Sequence, residues 1–337
     1  MAYILLNKNN FFYNLDIIAD KTKSKDKIAV VLKDNAYGHG LCEMATLARE
    51  YGIKKTVVQT QSDAQEIYDY FEYILVLAQI PEVADPKVHY TINSLDAIKK
   101  FPKYTKVELK VNTGMNRNGI EMDELERAFS LISENELELK GVFTHHSCAD
   151  EEGDYYDFQK ENFEKVKLQA TELAKQYDIQ LSFHSANSAA LFRTKEFDED
   201  MTRVGIAIYG GLEMPKSICS VDLKPVLSLY ARRNSSRIIN AGDCVGYGAS
   251  FKSDKKQVVS NYDFGYGDGF LRTCSNIYKT PEGINIAGRI SMDNSSFLSD
   301  KEELLVFNDA KDIAKFAGTF SYEILTSLKS DIIRKVI

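Results

Sequence analysis

Between residues 28 and 209, eight short apolar runs alternate with amphipathic stretches, and this alternation limits the possible folds more than any other feature of the chain. The runs are Ile28–Lys33, Lys55–Gln59, Tyr73–Ala78, Val88–Ile92, Lys106–Asn112, Leu139–His145, Gln180–His184 and Arg203–Tyr209. Stretches such as Asp123–Ser133 and Tyr155–Tyr177 between them repeat apolar residues at helical spacing. Parallel strands are covered on both faces and so read as continuous apolar runs, and each return crossover needs a helix. Eight such units close into a barrel whose chemistry sits where the strands end. The expected fold class is therefore α/β, a (β/α)8 TIM-like barrel.

After Gly211 the texture changes. Pro225–Arg232, Gln257–Tyr262, Ile284–Ala287 and Glu303–Phe307 read as short strands separated by Asn, Gly, Asp and Ser, which predicts a mostly β C-terminal domain. A chain of 337 residues is long enough for two such cores, and the expected division is 1–216 for the barrel and 217–337 for the second domain. The net charge of −7 comes without the clustered Lys and Arg that a phosphate backbone demands, which excludes a nucleic-acid partner. No apolar run approaches the roughly eighteen residues that span a bilayer, and the start lacks a basic segment and a cleavage site, so neither membrane insertion nor export is expected. Cys42, Cys148, Cys219, Cys244 and Cys274 are widely spaced and never in a C-x-x-C pattern, which fits a reducing cytoplasm.

The octapeptide Lys33-Asp34-Asn35-Ala36-Tyr37-Gly38-His39-Gly40 stands at the C-terminal end of the first run. A lone lysine there is ordinarily a solvated strand cap. A lysine that attacks an aldehyde must instead be held close and partly desolvated, and the neighbouring glycines let the backbone approach a bound group. This K-x-x-A-Y-G-H-G run resembles the cofactor-lysine motif of alanine racemases, enzymes that use pyridoxal 5'-phosphate (PLP). The resemblance implies that Lys33 carries the cofactor and acts as one of two bases, and that Tyr37 touches the cofactor phosphate.

The likeness continues in order to Tyr322. His184-Ser185-Ala186-Asn187-Ser188 and Arg203-Val204-Gly205-Ile206 follow or form the last two runs, where barrels commonly build phosphate sites. Hydroxyl and amide donors from Ser188, Gly205 and Ile206 can cradle a phosphate without a lysine cluster, although alone these segments read as a helix cap and a glycine-containing strand. Arg203 alone reads as half of a salt bridge. In the family the matching arginine faces the pyridine nitrogen. A guanidinium keeps its protons, so the ring becomes a weaker electron sink, which suits racemisation better than transamination. Decarboxylases of the same barrel class use a glutamate at that place. His145 and His146 are adjacent on a strand and point to opposite faces, which argues against a shared metal ion. By resemblance, His145 packs beside the cofactor ring and bonds to Arg203.

Lys110-Val111-Asn112-Thr113-Gly114-Met115-Asn116-Arg117-Asn118-Gly119 resembles the family's K-x-D-T-G-M-x-R-x-G, with Asn112 in place of the Asp. The resemblance implies that Arg117 assists the substrate carboxylate. Lys110 stands at a position carbamylated in some members. Gly246-Tyr247-Gly248 reads alone as a turn, yet its surroundings, Cys244–Phe251, resemble the segment bearing the family's catalytic tyrosine, which projects into the partner subunit's site. Tyr247 is then the second base. A phenol with a pKa near 10 needs a cation nearby for that task, and Arg117 is one source.

Gly265–Arg272 and Gly288–Asp293 resemble G-Y-A-D-G-x-x-R and G-R-[VI]-[CS]-M-D. They imply that Tyr266 lines the neighbouring protomer's entrance and that Met292 offers its backbone N–H to the substrate. Tyr322 is implied to reach the phosphate. Asp34 and Asp263 depart from the usual alanine and proline. A non-catalytic PLP-binding carrier shares the barrel but lacks the second domain. The whole pattern implies a cytoplasmic homodimer with shared active sites that interconverts L- and D-alanine, without metal, and supplies D-alanine for peptidoglycan.

Overall fold

The computed structural model describes residues 1–337. The chain opens on β1 (Tyr3–Leu6) and a helix, Lys8–Thr22, and then enters eight parallel strands. These are β2 (Ile28–Val31), β3 (Lys55–Val58), β4 (Tyr73–Val76), β5 (Val88–Ile92), β6 (Lys106–Lys110), β7 (Glu138–Phe143), β8 (Ser182–His184) and β9 (Thr202–Val204). They lie side by side in chain order from β2 to β8, with β9 on the other side of β2. The ring comes close to closing through a bridge between Asn187 and Arg203, where the Arg203 amide donates to Ala186 O at 2.9 Å. The (β/α)8 barrel expected from the alternation is thus the observed architecture.

Each apolar run contains a strand, but most of the strands stop short of the run's C-terminal end. Val31, for example, is the last residue of β2, because the backbone of Asp34 to Tyr37 is left-handed and cannot continue a pleated strand. The run Arg203–Tyr209 yields only Thr202–Val204. Beyond it Gly205–Gly210 coils into tight turns, with Ile208 N donating to Gly205 O and Gly210 N to Ala207 O. Ile206 to Tyr209 are apolar because they are buried, not because they are extended.

The crossover helices form where apolar residues recur at a helical period. Leu125–Glu134 buries Leu125, Ala128, Phe129 and Ile132, spaced so that one stripe faces the barrel wall. Each such large apolar side chain contributes about 1.5–3 kcal/mol by leaving water. No helix is long and apolar enough to cross a membrane.

The C-terminal part is mostly sheet. Its spine is β10 (Leu227–Ile239), followed by the short pair β11 (Cys244–Val245) and β12 (Phe251–Lys252), then β13 (Gln257–Tyr262), β14 (Ser295–Phe297), β15 (Glu303–Phe307) and β16 (Ile333–Val336). The sheet order is β14-β13-β10-β1-β16, with β15 also on β10. Ile284–Ala287, expected as a strand, makes only isolated bridges, Lys279 with Asn285 and Ile286 with Phe297.

Although β1 precedes the barrel in sequence, it pairs antiparallel with β10 and parallel with β16 in the C-terminal sheet. Alternation explains this: Ile4 and Leu6 are fully buried there while Tyr3 and Leu5 are not. Residues 3–6 therefore belong structurally to the second sheet, a correction to their placement in a barrel of 1–216. One apolar cluster runs through barrel and sheet together, which packs the two parts as a unit. At the departure Asp263, the backbone N–H donates to Arg232 O at 3.0 Å, a bond that proline cannot make. Its carboxylate accepts from Arg232 N at 2.7 Å and pairs with the N-terminal amine at 3.2 Å.

Candidate functional site

Lys33 opens the site, and the backbone behind it is bent by strain. Asp34 (φ 54°, ψ 51°), Asn35 (φ 54°, ψ 45°), Ala36 (φ 52°, ψ 49°) and Tyr37 (φ 52°) make a full turn of left-handed helix, a conformation that costs L-residues roughly 1–2 kcal/mol each. The surroundings hold it in place. Ala36 N donates to Leu32 O at 2.9 Å, Gly40 N to Asn35 O at 3.0 Å and Leu41 N to the Asn35 side chain at 2.9 Å. Gly38 closes the turn where a Cβ would lie 2.0 Å from Leu325 O, so the turn is clamped against the helix Ser321–Thr326 that bears Tyr322.

Strain of this kind concentrates at functional sites. Asp34 has an exposed side chain whose ion pair with Lys33, at 3.7 Å, is worth little in water. Asp34→Gly is therefore expected to raise the unfolding free energy by about 0.5 kcal/mol or more, because glycine adopts this backbone without strain. Denaturant midpoints of the two proteins check it, and a lower midpoint for the variant would contradict the account.

The turn opens onto a cavity of about 340 Å³ at the C-terminal mouth of the barrel, the size of a small-molecule site. Lys33, Tyr37, Arg117, His145, Ser188, Arg203, Gly205, Ile206 and Tyr322 all line it, so the mouth brings together nine of the twelve residues singled out from the sequence. At one end the Ser188 hydroxyl accepts from Gly205 N at 3.1 Å and Ala207 N at 3.3 Å. The buried Ile206 amide makes no hydrogen bond within the chain. A Cβ on Gly205 would stand 2.5 Å from the Tyr37 hydroxyl, so only glycine leaves room here. Tyr37 packs against Tyr209 and Tyr322 with ring centroids 5.2 Å and 5.8 Å away. A bare buried amide beside two phenols and a serine offers donors to an anion, with the Asp34 and Asp150 carboxylates on the same lining.

Arg203 is buried, and both terminal nitrogens of its guanidinium are engaged. Its guanidinium donates to Thr144 O at 2.6 Å, to His184 O and Ser185 O at 3.1 Å, and to His184 Nδ1. Burial pulls Arg203 down to about 10, opposed by Glu199 and Glu108, which leaves it charged at neutral pH. The bond expected between His145 and Arg203 is absent, and His184 makes it instead. The reason is position: His145 lies beyond the end of β7, whereas His184 ends β8, next to β9 across the barrel seam. His145 still lines the mouth, and burial together with Arg203, Lys110 and Arg117 holds its imidazole far below the usual range, hence neutral. Burial, with Arg117, Arg203 and Lys33 nearby, brings Lys110 down to about 8.

Tyr247, Tyr266 and Met292 do not line this mouth. All three are exposed, at 66%, 43% and 56%. They sit on neighbouring loops of the second part: Gly267 N donates to Met292 O at 2.7 Å, Tyr266 N to Ser291 O at 3.0 Å, and Gly248 lies against the Arg289 guanidinium.

Sequence reasoning passed over Glu108, His184, His146 and Asn112 as site residues. The Asn112 side chain accepts from Gly114 N and Asn116 N, and donates to Glu121 at 3.0 Å, so it shapes the loop that carries Arg117. A buried Glu inside the strand Lys-Val-Glu-Leu-Lys was the available signal for Glu108, since an acid there requires partners.

Residues 6–213 match the family described as alanine racemase, N-terminal domain, and residues 226–336 match alanine racemase, C-terminal domain. The alanine racemase of Campylobacter concisus is 43% identical over 340 residues, covering 100% of both chains. Among solved structures, the alanine racemase of Clostridium difficile 630 is similar with a TM-score of 0.90 at 25% identity, covering 100% of this chain and 95% of its own. That of Bacillus anthracis with bound L-Ala-P gives 0.87 at 26%, with the same coverage.

Proposed function

The chain belongs to the alanine racemase family, and from that premise we propose that it interconverts L- and D-alanine with PLP seated at the barrel mouth. The observation that carries this reading is that one cavity is lined by an amine, Lys33, an anion cradle and a donor-only guanidinium. When bound, PLP supplies an aldehyde that takes up an amine and a ring that spreads negative charge from the substrate's α-carbon.

The residues of this chain supply the rest. Ser188, Gly205, the bare Ile206 amide, Tyr37 and Tyr322 would hold the phosphate. Lys33 would hold the cofactor, and its Nζ would take or return the α-proton on one face of the substrate. Tyr247 of the second subunit does so on the other face. Arg203 would meet the cofactor's ring nitrogen with a group that yields no proton, and so would limit how much charge the ring accepts. His145, neutral among cations, packs beside the ring. Arg117 and the Met292 N–H orient the substrate carboxylate, while Tyr266 narrows the entrance.

The active form is a cytoplasmic homodimer, with 1–216 and Tyr322 providing the pocket and the loops of Tyr247, Tyr266 and Met292 in 217–337 reaching into the partner's mouth. Its D-alanine goes to peptidoglycan. Purified protein given L-alanine with PLP is expected to accumulate D-alanine, read by a coupled D-amino-acid oxidase assay, and to turn over L-serine and L-lysine more slowly. Yellow protein that leaves L-alanine unchanged would favour a carrier, and faster turnover of L-lysine would move the assignment to another racemase.

A further inference from the structure

Five polar side chains on five barrel strands form one hydrogen-bonded chain running inward from the mouth. Arg203 on β9 donates to His184 Nδ1 on β8. His184 Nε2 lies 2.6 Å from Glu108 Oε2 on β6. Glu108 Oε1 receives His89 Nδ1 on β5 at 2.9 Å and the Tyr73 hydroxyl on β4. Glu108 and His184 are completely buried and Arg203 is 6% exposed, so none can trade these partners for water. The His184 ring is also fixed by stacking on Phe143 at 4.8 Å.

A guanidinium can only donate, so His184 Nδ1 must be bare where Arg203 meets it. Its ring proton then sits on Nε2 and goes to Glu108. A doubly protonated His184 would bury a second cation against Arg203, and burial works against it. Burial works to raise the Glu108 carboxyl, yet the ring N–H groups that His184 and His89 turn toward it hold it well below the usual carboxylate range.

We propose that Glu108 is a positioning residue for racemisation: its buried carboxylate fixes His184 as the Nε2–H tautomer, and the bare Nδ1 holds the Arg203 guanidinium toward the cofactor's ring nitrogen. This rests on the place given to Arg203 above. An amide at 108 can donate to His184 Nε2 and so permits the opposite tautomer, whose Nδ1–H would confront the N–H of Arg203. The guanidinium then loses its one side-chain acceptor and is left with the three backbone carbonyls, while the cradle and Lys33 are untouched.

The test uses ring-15N histidine labelling of the cofactor-free protein, with His184→Gln identifying the signal, followed by holoenzyme kinetics. Wild type is expected to show neutral His184 with its proton on Nε2, and Glu108→Gln to show it wholly or partly on Nδ1. The same variant should lower kcat roughly 10- to 100-fold, the range for groups that orient a reactive site from behind, with KM for alanine little changed and the absorption of the bound cofactor altered. A wild-type His184 that is charged, or protonated on Nδ1, overturns the proposal without touching the role of Arg203. A tautomer that flips as stated while kcat and cofactor absorption stay as in wild type overturns the placing of Arg203 at the ring, and the proposal with it. Should Glu108→Gln yield no folded protein, Glu108→Asp takes its place: it keeps the charge but withdraws it by one methylene, and both changes are expected in weaker form.

Discussion

Replacing Lys33 by alanine is expected to lower D-alanine formation by about 10⁴-fold or more, since one substitution removes both the covalent seat of the cofactor and one of the two bases. The fold should not suffer. The Lys33 side chain is about a third exposed and its only ion pair is with the exposed Asp34, so stability should change by no more than about 0.5 kcal/mol.

A second amine makes the test sharper. Lys110 lines the same cavity and, at about 8, is neutral often enough at physiological pH to attack an aldehyde. What separates the two is their backbone. Lys33 is followed directly by the left-handed turn that carries Tyr37 against Gly205, so amine and phosphate cradle are linked within five residues, whereas Lys110 ends a regular strand on the other side of the mouth. Borohydride reduction followed by peptide mapping should therefore place the cofactor on Lys33 in wild type and leave Lys110 unlabelled in Lys33→Ala. Labelled Lys110, or residual activity above about one part in a hundred, would remove Lys33 from its role.

The barrel was readable because burial on both faces leaves an unbroken apolar mark on each strand, and eight such marks in order allow few other folds. Lys33, Tyr37, Ser188, Gly205 and Ile206 stood out because they fall in short contiguous segments that resemble the family's motifs, and the structure gathers them on one cavity. What stayed hidden depends on register or on distant pairing. Tyr73, His89, Glu108 and His184 meet only because the strands are staggered by particular amounts, which periodicity within one strand does not encode. The four residues of β1 look like any short apolar run, and their partner β10 lies more than 200 residues away. Arg203–Tyr209 looked extended since burial in a tight turn selects the same apolar residues as a core strand. The left-handed turn carries no glycine at its first four positions, so nothing in composition announces it.

Tyr247→Phe is expected to cost about 10²–10⁴-fold in turnover, the usual reach of a positioned acid–base group. The ring is two-thirds exposed and its hydroxyl makes no hydrogen bond in this chain, so deleting the oxygen should leave the fold unchanged. That exposure supports an action in trans: three residues with family roles at the site, Tyr247, Tyr266 and Met292, gather on adjacent loops away from their own chain's mouth. Mixing decides the matter. In a two-fold dimer each mouth pairs one subunit's Lys33 with the other's Tyr247, so a heterodimer of Lys33→Ala with Tyr247→Phe holds one wholly wild-type site and one doubly damaged site. Equal mixing makes half the dimers heterodimers, and roughly a quarter of wild-type activity should return from two nearly inactive proteins. If Tyr247 served its own chain's Lys33 instead, every site in the mixture would carry a lesion and nothing would return.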